Sequence, residues 1–259
     1  MKFANPPVIE AWIEFGFSFA EDTPYWDEAR AEAFIRDYFK ESFKVNSYFG
    51  RSEITIDASK GRPDFSKPRL IFERIRAASQ AGDRYVQVGR NILIYNMLRK
   101  EKEWPEYSTL RSEALDAFDK YIDCLKPSAL RTISLHYRDI VVIPFDQHSK
   151  VKLDNYFTVL PKVPEDNYGG ISGFMIALDM PEVCKSGLIH LILQNEPSPQ
   201  DAKGPVANAR FRMDWHLNPH KMIDSLDKKV VSEWLDQAHD DLFKAFVAAF
   251  TNEGLKLFA

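Results

Sequence analysis

The chain has 259 residues, a formal net charge of -4, 45% hydrophobic residues and 13% aromatic residues, 19 of them Phe. So much apolar material with so little net charge excludes a disordered chain, and it excludes a polyanion binder that works by bulk charge. The two cysteines, Cys124 and Cys184, stand far apart without a CxxC partner; zinc ribbons and dithiol redox motifs are excluded on spacing, and buried free thiols are expected.

The opening Met-Lys-Phe-Ala-Asn-Pro-Pro has no apolar stretch of the kind a signal peptide carries. No later run approaches the roughly 20 apolar residues of a membrane helix. A soluble, cytoplasmic protein with no membrane partner is expected.

The first predicted element follows Pro6-Pro7. Ile9, Ala11, Ile13, Phe15, Phe17 and Phe19 alternate with Glu10, Trp12 and Glu14, the period of a strand with one face in a core. Thr23-Pro24 then predicts a helix start, with Thr23 as cap and Pro24 at the first helical position. Ala31, Phe34, Ile35, Tyr38 and Phe39 form its apolar stripe, and it is expected to end near Phe43.

Three strands are predicted next: one around Ile54 and Ile56, one over Arg69 to Ala77, and one long strand over Arg84 to Leu98 with Val86, Val88, Ile92 and Ile94 on one face. Gly82-Asp83 predicts the hairpin turn between the last two. Trp104-Pro105 introduces an amphipathic helix carrying Leu110, Ala114, Leu115, Phe118, Tyr121, Ile122 and Leu125, and Lys126-Pro127 stops it.

The same order then recurs. Ile133, Leu135, Tyr137, Val141 and Ile143 share one face of a long strand ending at Pro144. Residues 150–160 predict a short helical segment broken by Pro161 and Pro164, inside a loop, 144–168, long enough to matter for function. Strands are predicted near Ile171 to Met180, Gly187 to Gln194 and Ala207 to Leu217. A closing helix has the stripe Val230, Val231, Trp234, Ala238, Leu242, Phe246 and Phe250. The fold class implied is α+β: two β-α-β-β-β-α halves, residues 1–127 and 128–259, with mainly antiparallel sheet and amphipathic helices packed on it. The seam at Pro127 is too short for a flexible linker, which implies one compact unit.

Residues that could carry chemistry are scattered. His216 and His220 are four apart, but Asn218-Pro219 between them prevents the helical turn that would align both rings. With no third ligand nearby in sequence, even with His190 on a neighbouring strand, no metal or cofactor is expected. There is no GxSxG nucleophile elbow. Gly169-Gly170-Ile171-Ser172-Gly173 lacks the lysine and spacing of a phosphate loop and is expected only to turn the chain. Glu10 and Glu14 lie about 13 Å apart on an extended chain, too far for a glycosidase pair. His239, flanked by Asp236 and Asp240, lies on the polar side of the closing helix.

The one uneven charge feature runs from Lys67 to Lys102. It is rich in arginine, including Arg69, Arg74, Arg76 and Arg90, with Phe72 and Tyr85 interleaved, a composition suited to holding RNA or single-stranded DNA on a sheet face. His136 with Arg138, and Arg210 and Arg212 with His216, share strand faces in the second half. Together with His239 these residues make up the candidate binding face.

Three segments resemble an uncharacterised, sporadically distributed bacterial family of similar length: Asn-Pro-Pro-Val-Ile-Glu-Ala-Trp-Ile-Glu-Phe (Asn5 to Phe15), Leu-His-Tyr-Arg-Asp-Ile-Val-Val-Ile (Leu135 to Ile143), and the tail from Trp234 to Thr251. Pro7, Glu10, Tyr137, Arg138 and His239 carry the match. Asp139 stands where that family has Asn. The resemblance implies no activity, and its patchy distribution resembles that of accessory or defence-associated genes.

The function expected from these observations is a non-catalytic binding or interaction protein, with a protein partner or self-association, as an accessory component of a bacterial defence or toxin-antitoxin-like system. A nucleic-acid-binding protein using the strands at 69–99 is the alternative. A hydrolase or nuclease is a second alternative, and it requires His136, Arg138, His216 and His239 to meet in space.

Overall fold

The computed structural model describes residues 3–21, 26–53, 56–57, 64–65, 69–100, 104, 106–146, 151–160, 173–181, 184–196 and 206–259. Strand β1 (Val8–Ser18) begins directly after Pro6-Pro7. Helix α1 (Glu28–Phe39) is capped by Asp27, whose carboxylate accepts from the Arg30 backbone N–H at 2.9 Å. Thr23-Pro24, expected to cap it, lie outside the described residues.

A 3-10 turn, Lys40–Ser42, then leads into β2 (Phe43–Glu53), a strand not expected from the sequence. Its residues alternate only between half-buried and exposed because it is an edge strand, so its apolar periodicity is faint. The strand expected around Ile54 and Ile56 is reduced to a separate small pair, β3 (Ile56–Asp57) with β4 (Asp64–Phe65), and Ile54 itself lies outside the described residues.

After β5 (Arg69–Ser79), a turn containing Gly82 at φ 70 leads back, as the Gly-Asp pair predicts. The single strand expected over 84–98 is two strands, β6 (Arg84–Gly89) and β7 (Ile92–Leu98), reversing at Arg90-Asn91. The reversal changes the phase of the alternation. Val86 and Val88 share their face with Leu93, Tyr95 and Met97, while Ile92 and Ile94 point the other way. Helix α2 (Tyr107–Leu125) follows and ends at Lys126 in the left-handed conformation, φ 50.

The second half opens with β8 (Ala129–Asp146), which continues past the expected stop at Pro144. Beyond the Val8–Asp139 pair its β1 side is an open edge, where proline is tolerated. Only Leu153–Asn155 of the expected helical segment is helical, as a 3-10 turn. Strands β9 (Met175–Met180), β10 (Leu188–Glu196) and β11 (Val206–Asn218) precede α3 (Lys228–Ala248), capped by Asp227, and the short α4 (Asn252–Leu255). Residues 147–150 and 161–168 of the loop singled out at 144–168, and Gly169 to Ser172, lie outside the described residues.

One antiparallel sheet of nine strands has the order β2-β5-β6-β7-β1-β8-β11-β10-β9. Both halves obey one rule. The opening strand (β1 or β8) is central, it pairs with the last strand before the closing helix (β7 or β11), and earlier strands step outward. β1 and β8 pair with each other, so the halves share a sheet. α1 packs on β2 and β5, α2 on β7 and β1, and α3 on β11 and β8. The first half therefore has a helix, α1, for which the second half supplies only the 3-10 turn among its described residues.

The helices cover one face of the sheet. Ala11, Ile13, Phe15 and Phe17 of β1, Ile133 and Leu135 of β8, and Met213, Trp215 and Leu217 of β11 point into that core. Alternate residues on the same strands form the uncovered face, the arrangement an antiparallel sheet permits and a parallel one rarely does.

Candidate functional site

Cross-strand register sets the uncovered face. In one row, perpendicular to the strands, Trp12 of β1 faces His136 of β8, His136 faces His216 of β11, His216 faces His190 of β10, and His190 faces Asp179 of β9. Trp12 and His136 stack with ring centroids 4.5 Å apart, and His136 and His216 meet edge to face at 4.2 Å. Burial pushes the His136 imidazolium down to about 3, with the neighbouring His216 and Arg138 acting in the same direction. His136 is thus a neutral ring, bonded to the Ser134 hydroxyl at 2.6 Å.

Beside this row runs a polar chain that crosses six strands. Gln87 donates to Asn96, and Asn96 donates to Glu10 at 3.0 Å. Arg138 bridges Glu10 at 3.1 Å and Asp214 at 2.7 Å. Arg212 then bridges Asp214 at 2.9 Å and Glu196 at 3.1 Å. Every charge in this chain meets an opposite charge, so the network reads as a rigid internal structure and not as a basic surface.

The ten candidate residues divide between places. Arg74, Arg76, His136, Arg138, Arg210, Arg212 and His216 lie on the uncovered face. Arg74 lies over the Phe49 ring at 4.9 Å, and Arg76 lies over Tyr85 at 5.1 Å while donating to Asn46 and Ser47. Arg210 faces Glu196 in register. Arg90 sits in the β6–β7 turn, where its backbone carbonyl accepts from Tyr121. Arg69 begins β5 opposite Glu53, and its side chain lies outside the described set. His239 is on α3, on the other side of the sheet, so it does not meet His136, Arg138 and His216. Among the described residues, no group of three or more His, Cys, Asp or Glu side chains is arranged to hold a metal ion.

A different site lies beneath the sheet around His239. A cavity of about 450 Å³ opens between the Phe3–Val8 segment, the start of α2, strands β8 and β11, and α3. Phe3, Pro6, Pro7, Trp104, Leu242, Phe243 and Phe246 supply apolar wall; Tyr107, Tyr137, His239, Glu106, Trp215 and Asp139 supply the polar groups. The Phe3 ring packs against Phe243, Phe246 and Phe258 with centroids 5.6–6.0 Å apart, and Asn5 donates its backbone N–H to Phe258, which fixes the amino-terminal segment over the opening.

Within the cavity His239 stacks on Tyr107, ring centroids 3.8 Å apart and planes nearly parallel, and its Nδ1 shares a 2.8 Å hydrogen bond with the Tyr137 hydroxyl. Burial lowers the His239 pKa and raises those of Tyr107 and Tyr137, so the cluster is neutral.

Asp139 is different. It is 1% exposed, and burial first, with the Asp214 charge adding to it, raises its carboxyl to about 8. The Trp215 indole N–H lies close enough to favour the anion. Neither Asp139 Oδ1 nor Trp215 Nε1 completes a hydrogen bond among the described residues. A bulge in β1 between Val8 and Glu10 sits directly against Asp139, the kind of irregularity that re-aims side chains at a site.

Sequence reasoning named His239 here but missed Asp139, Tyr107, Trp104 and Trp215. Pro7, Tyr137 and His239 all line the cavity, and Glu10 and Arg138 pair with each other on the reverse side of the same strands. No family model matches the chain, and no curated protein matches it.

Proposed function

We propose that this is a binding protein whose ligand occupies the cavity under β8 and β11. The observation that carries this reading is a buried carboxyl group, Asp139, whose Oδ1 completes no hydrogen bond among the described residues, on the wall of an aromatic-lined cavity. A buried polar group without a partner costs free energy, about 1–3 kcal/mol. A protein retains such a group most readily where a ligand completes it. An apolar pocket with a few convergent polar groups and a displaced pKa is the usual form of a small-molecule site.

This narrows the interaction role expected from the sequence to a ligand-dependent one. The nucleic-acid alternative draws less support, because Arg138 and Arg212 are engaged by Glu10, Asp214 and Glu196, even though Arg138 lies over Trp12 as Arg74 lies over Phe49 and Arg76 over Tyr85.

The test is a fragment screen by ligand-observed NMR on the full chain and on Ala4→Trp. Ala4 is exposed on the cavity rim, so an indole there plugs the opening without disturbing the core. Compounds that bind the wild type saturably and lose binding in Ala4→Trp, with an unchanged melting temperature, support the site. A screen in which the plugged protein binds the same compounds equally well overturns it.

A further inference from the structure

Resting on that ligand-binding reading, we infer that the cavity selects an organic cation: an ammonium group carried on an apolar, ring-sized body. Four observations converge. The walls are aromatic, with Trp104, Tyr107, Trp215 and Phe243 among the lining residues, and the faces of such rings attract a cation through their quadrupoles. Of the buried lining atoms that complete no hydrogen bond among the described residues, Asp139 Oδ1, Tyr107 Oη and Trp215 Nε1, the one that belongs to an acid is Asp139 Oδ1. A second carboxylate, Glu106, lines the same cavity. No lysine or arginine is among the described lining residues, so an anionic ligand would find no countercharge there.

The surroundings point the same way. Asp236 and Asp240 act on His239 from the outer side of α3, and Arg111, a cation that acts on Tyr107, is held by Asp236 and by Ser232. Tyr137 and His239 satisfy one another at 2.8 Å and present no charge. Asp214 faces Asp139 through the sheet but is neutralised by Arg138 and Arg212. An entering ammonium therefore meets one uncompensated acid. Asp139 gives up its proton to solvent as the cation arrives, and a charge-assisted hydrogen bond completes the Oδ1 that otherwise has none. A neutral ligand of the same shape gains the apolar contacts only.

The experiment is isothermal titration calorimetry on the full chain with three ligands of one shape: tryptamine, tryptophol and indole-3-propionate. Tryptamine is expected to bind at least about tenfold more tightly than tryptophol, and indole-3-propionate more weakly than both. Proton release on tryptamine binding, read from the dependence of the heat on buffer ionisation enthalpy, should vanish in Asp139→Asn together with the amine's advantage over tryptophol. Trp104→Leu, a change at a half-buried wall position, should weaken the amine more than the alcohol. Tryptophol or indole-3-propionate binding as tightly as tryptamine overturns the cation inference and leaves the cavity reading standing. No binding of any of the three also overturns it, and the fragment screen with Ala4→Trp then decides the cavity reading separately.

Discussion

Asp214 and Asp139 occupy neighbouring strands of the same sheet, are buried to similar degrees, and have opposite surroundings. Asp214 points to the uncovered face and receives two guanidinium groups, from Arg138 at 2.7 Å and Arg212 at 2.9 Å. Asp139, one residue along from Arg138, points to the helix side and receives none. Strand alternation alone separates them, since consecutive side chains emerge on opposite faces. Paired charges on the uncovered face are internally complete and need no visitor. The acid in the cavity has an oxygen that completes no hydrogen bond among the described residues, and the proposed ligand site rests on that difference.

Breaking the pairing should give the largest effect. Asp214→Ala leaves Arg138 and Arg212 facing each other without their shared anion, and removing one partner of a buried ion network costs about 3 kcal/mol when the remaining charges are partly solvated. Urea denaturation at pH 7 should show that loss, with high salt recovering part of it. A loss below about 0.5 kcal/mol would mean that the network is ornamental to the fold, and the contrast with Asp139 would collapse.

Asp139→Asn should act in the opposite direction. Its folded-state pKa, raised to about 8, lies above the ordinary carboxyl value of 3.8, so the folded protein holds a proton that the unfolded chain releases. Stability from this group is intact below about pH 4 and is lost as pH rises towards 8. Asparagine cannot ionise. The variant should gain about 1–2 kcal/mol at pH 7, because the amide still lacks full partners, and the gain should disappear near pH 4. A gain independent of pH would show that the carboxyl is charged and compensated in the native protein.

The frame of the molecule was legible because its core strands and helices carry strong periodicity. β1 announces itself by Ala11, Ile13, Phe15 and Phe17, and the two closing helices by their apolar stripes. Edge and turn features were less legible: β2 has a weak alternation on both faces, and the reversal at Arg90-Asn91 has its glycine, Gly89, at the end of β6 with apolar residues alternating on both sides, so two strands read as one. Seven of the ten candidate residues alternate onto the uncovered face, while Arg90 sits in a turn and His239 on α3. What the sequence could not show is that Arg138 meets Glu10 and Asp214, which lie far from it in sequence on neighbouring strands. The cavity was illegible for the same reason. Phe3, Tyr107, Asp139, Trp215 and His239 are brought together only by the pairing of β1 with β8 and of β8 with β11.

The histidine row offers the finest distinction between the two faces. His136 is buried, neutral and held down to about 3, and the Trp12 ring, His216, Ser134 and Arg138 face it from β1, β11 and its own strand. A histidine whose folded pKa lies below its unfolded value of about 6.5 takes up its proton mainly in the unfolded chain. Its contribution is therefore fully present above pH 6.5 and is lost as the solution is acidified. At pH 5.5 the loss from His136 should be about 1 kcal/mol, with His216, also shifted down by burial, adding in the same direction. His136→Gln keeps a group able to bond the Ser134 hydroxyl but does not titrate, so its denaturation midpoint should fall less steeply between pH 6.5 and 5.5 than that of the wild type. Asp139 moves the opposite way over the same interval, since acidification restores its proton. A protein carrying both Asp139→Asn and His136→Gln should then show a flatter pH profile than either single variant, and an unchanged acid slope would place the titrating groups elsewhere.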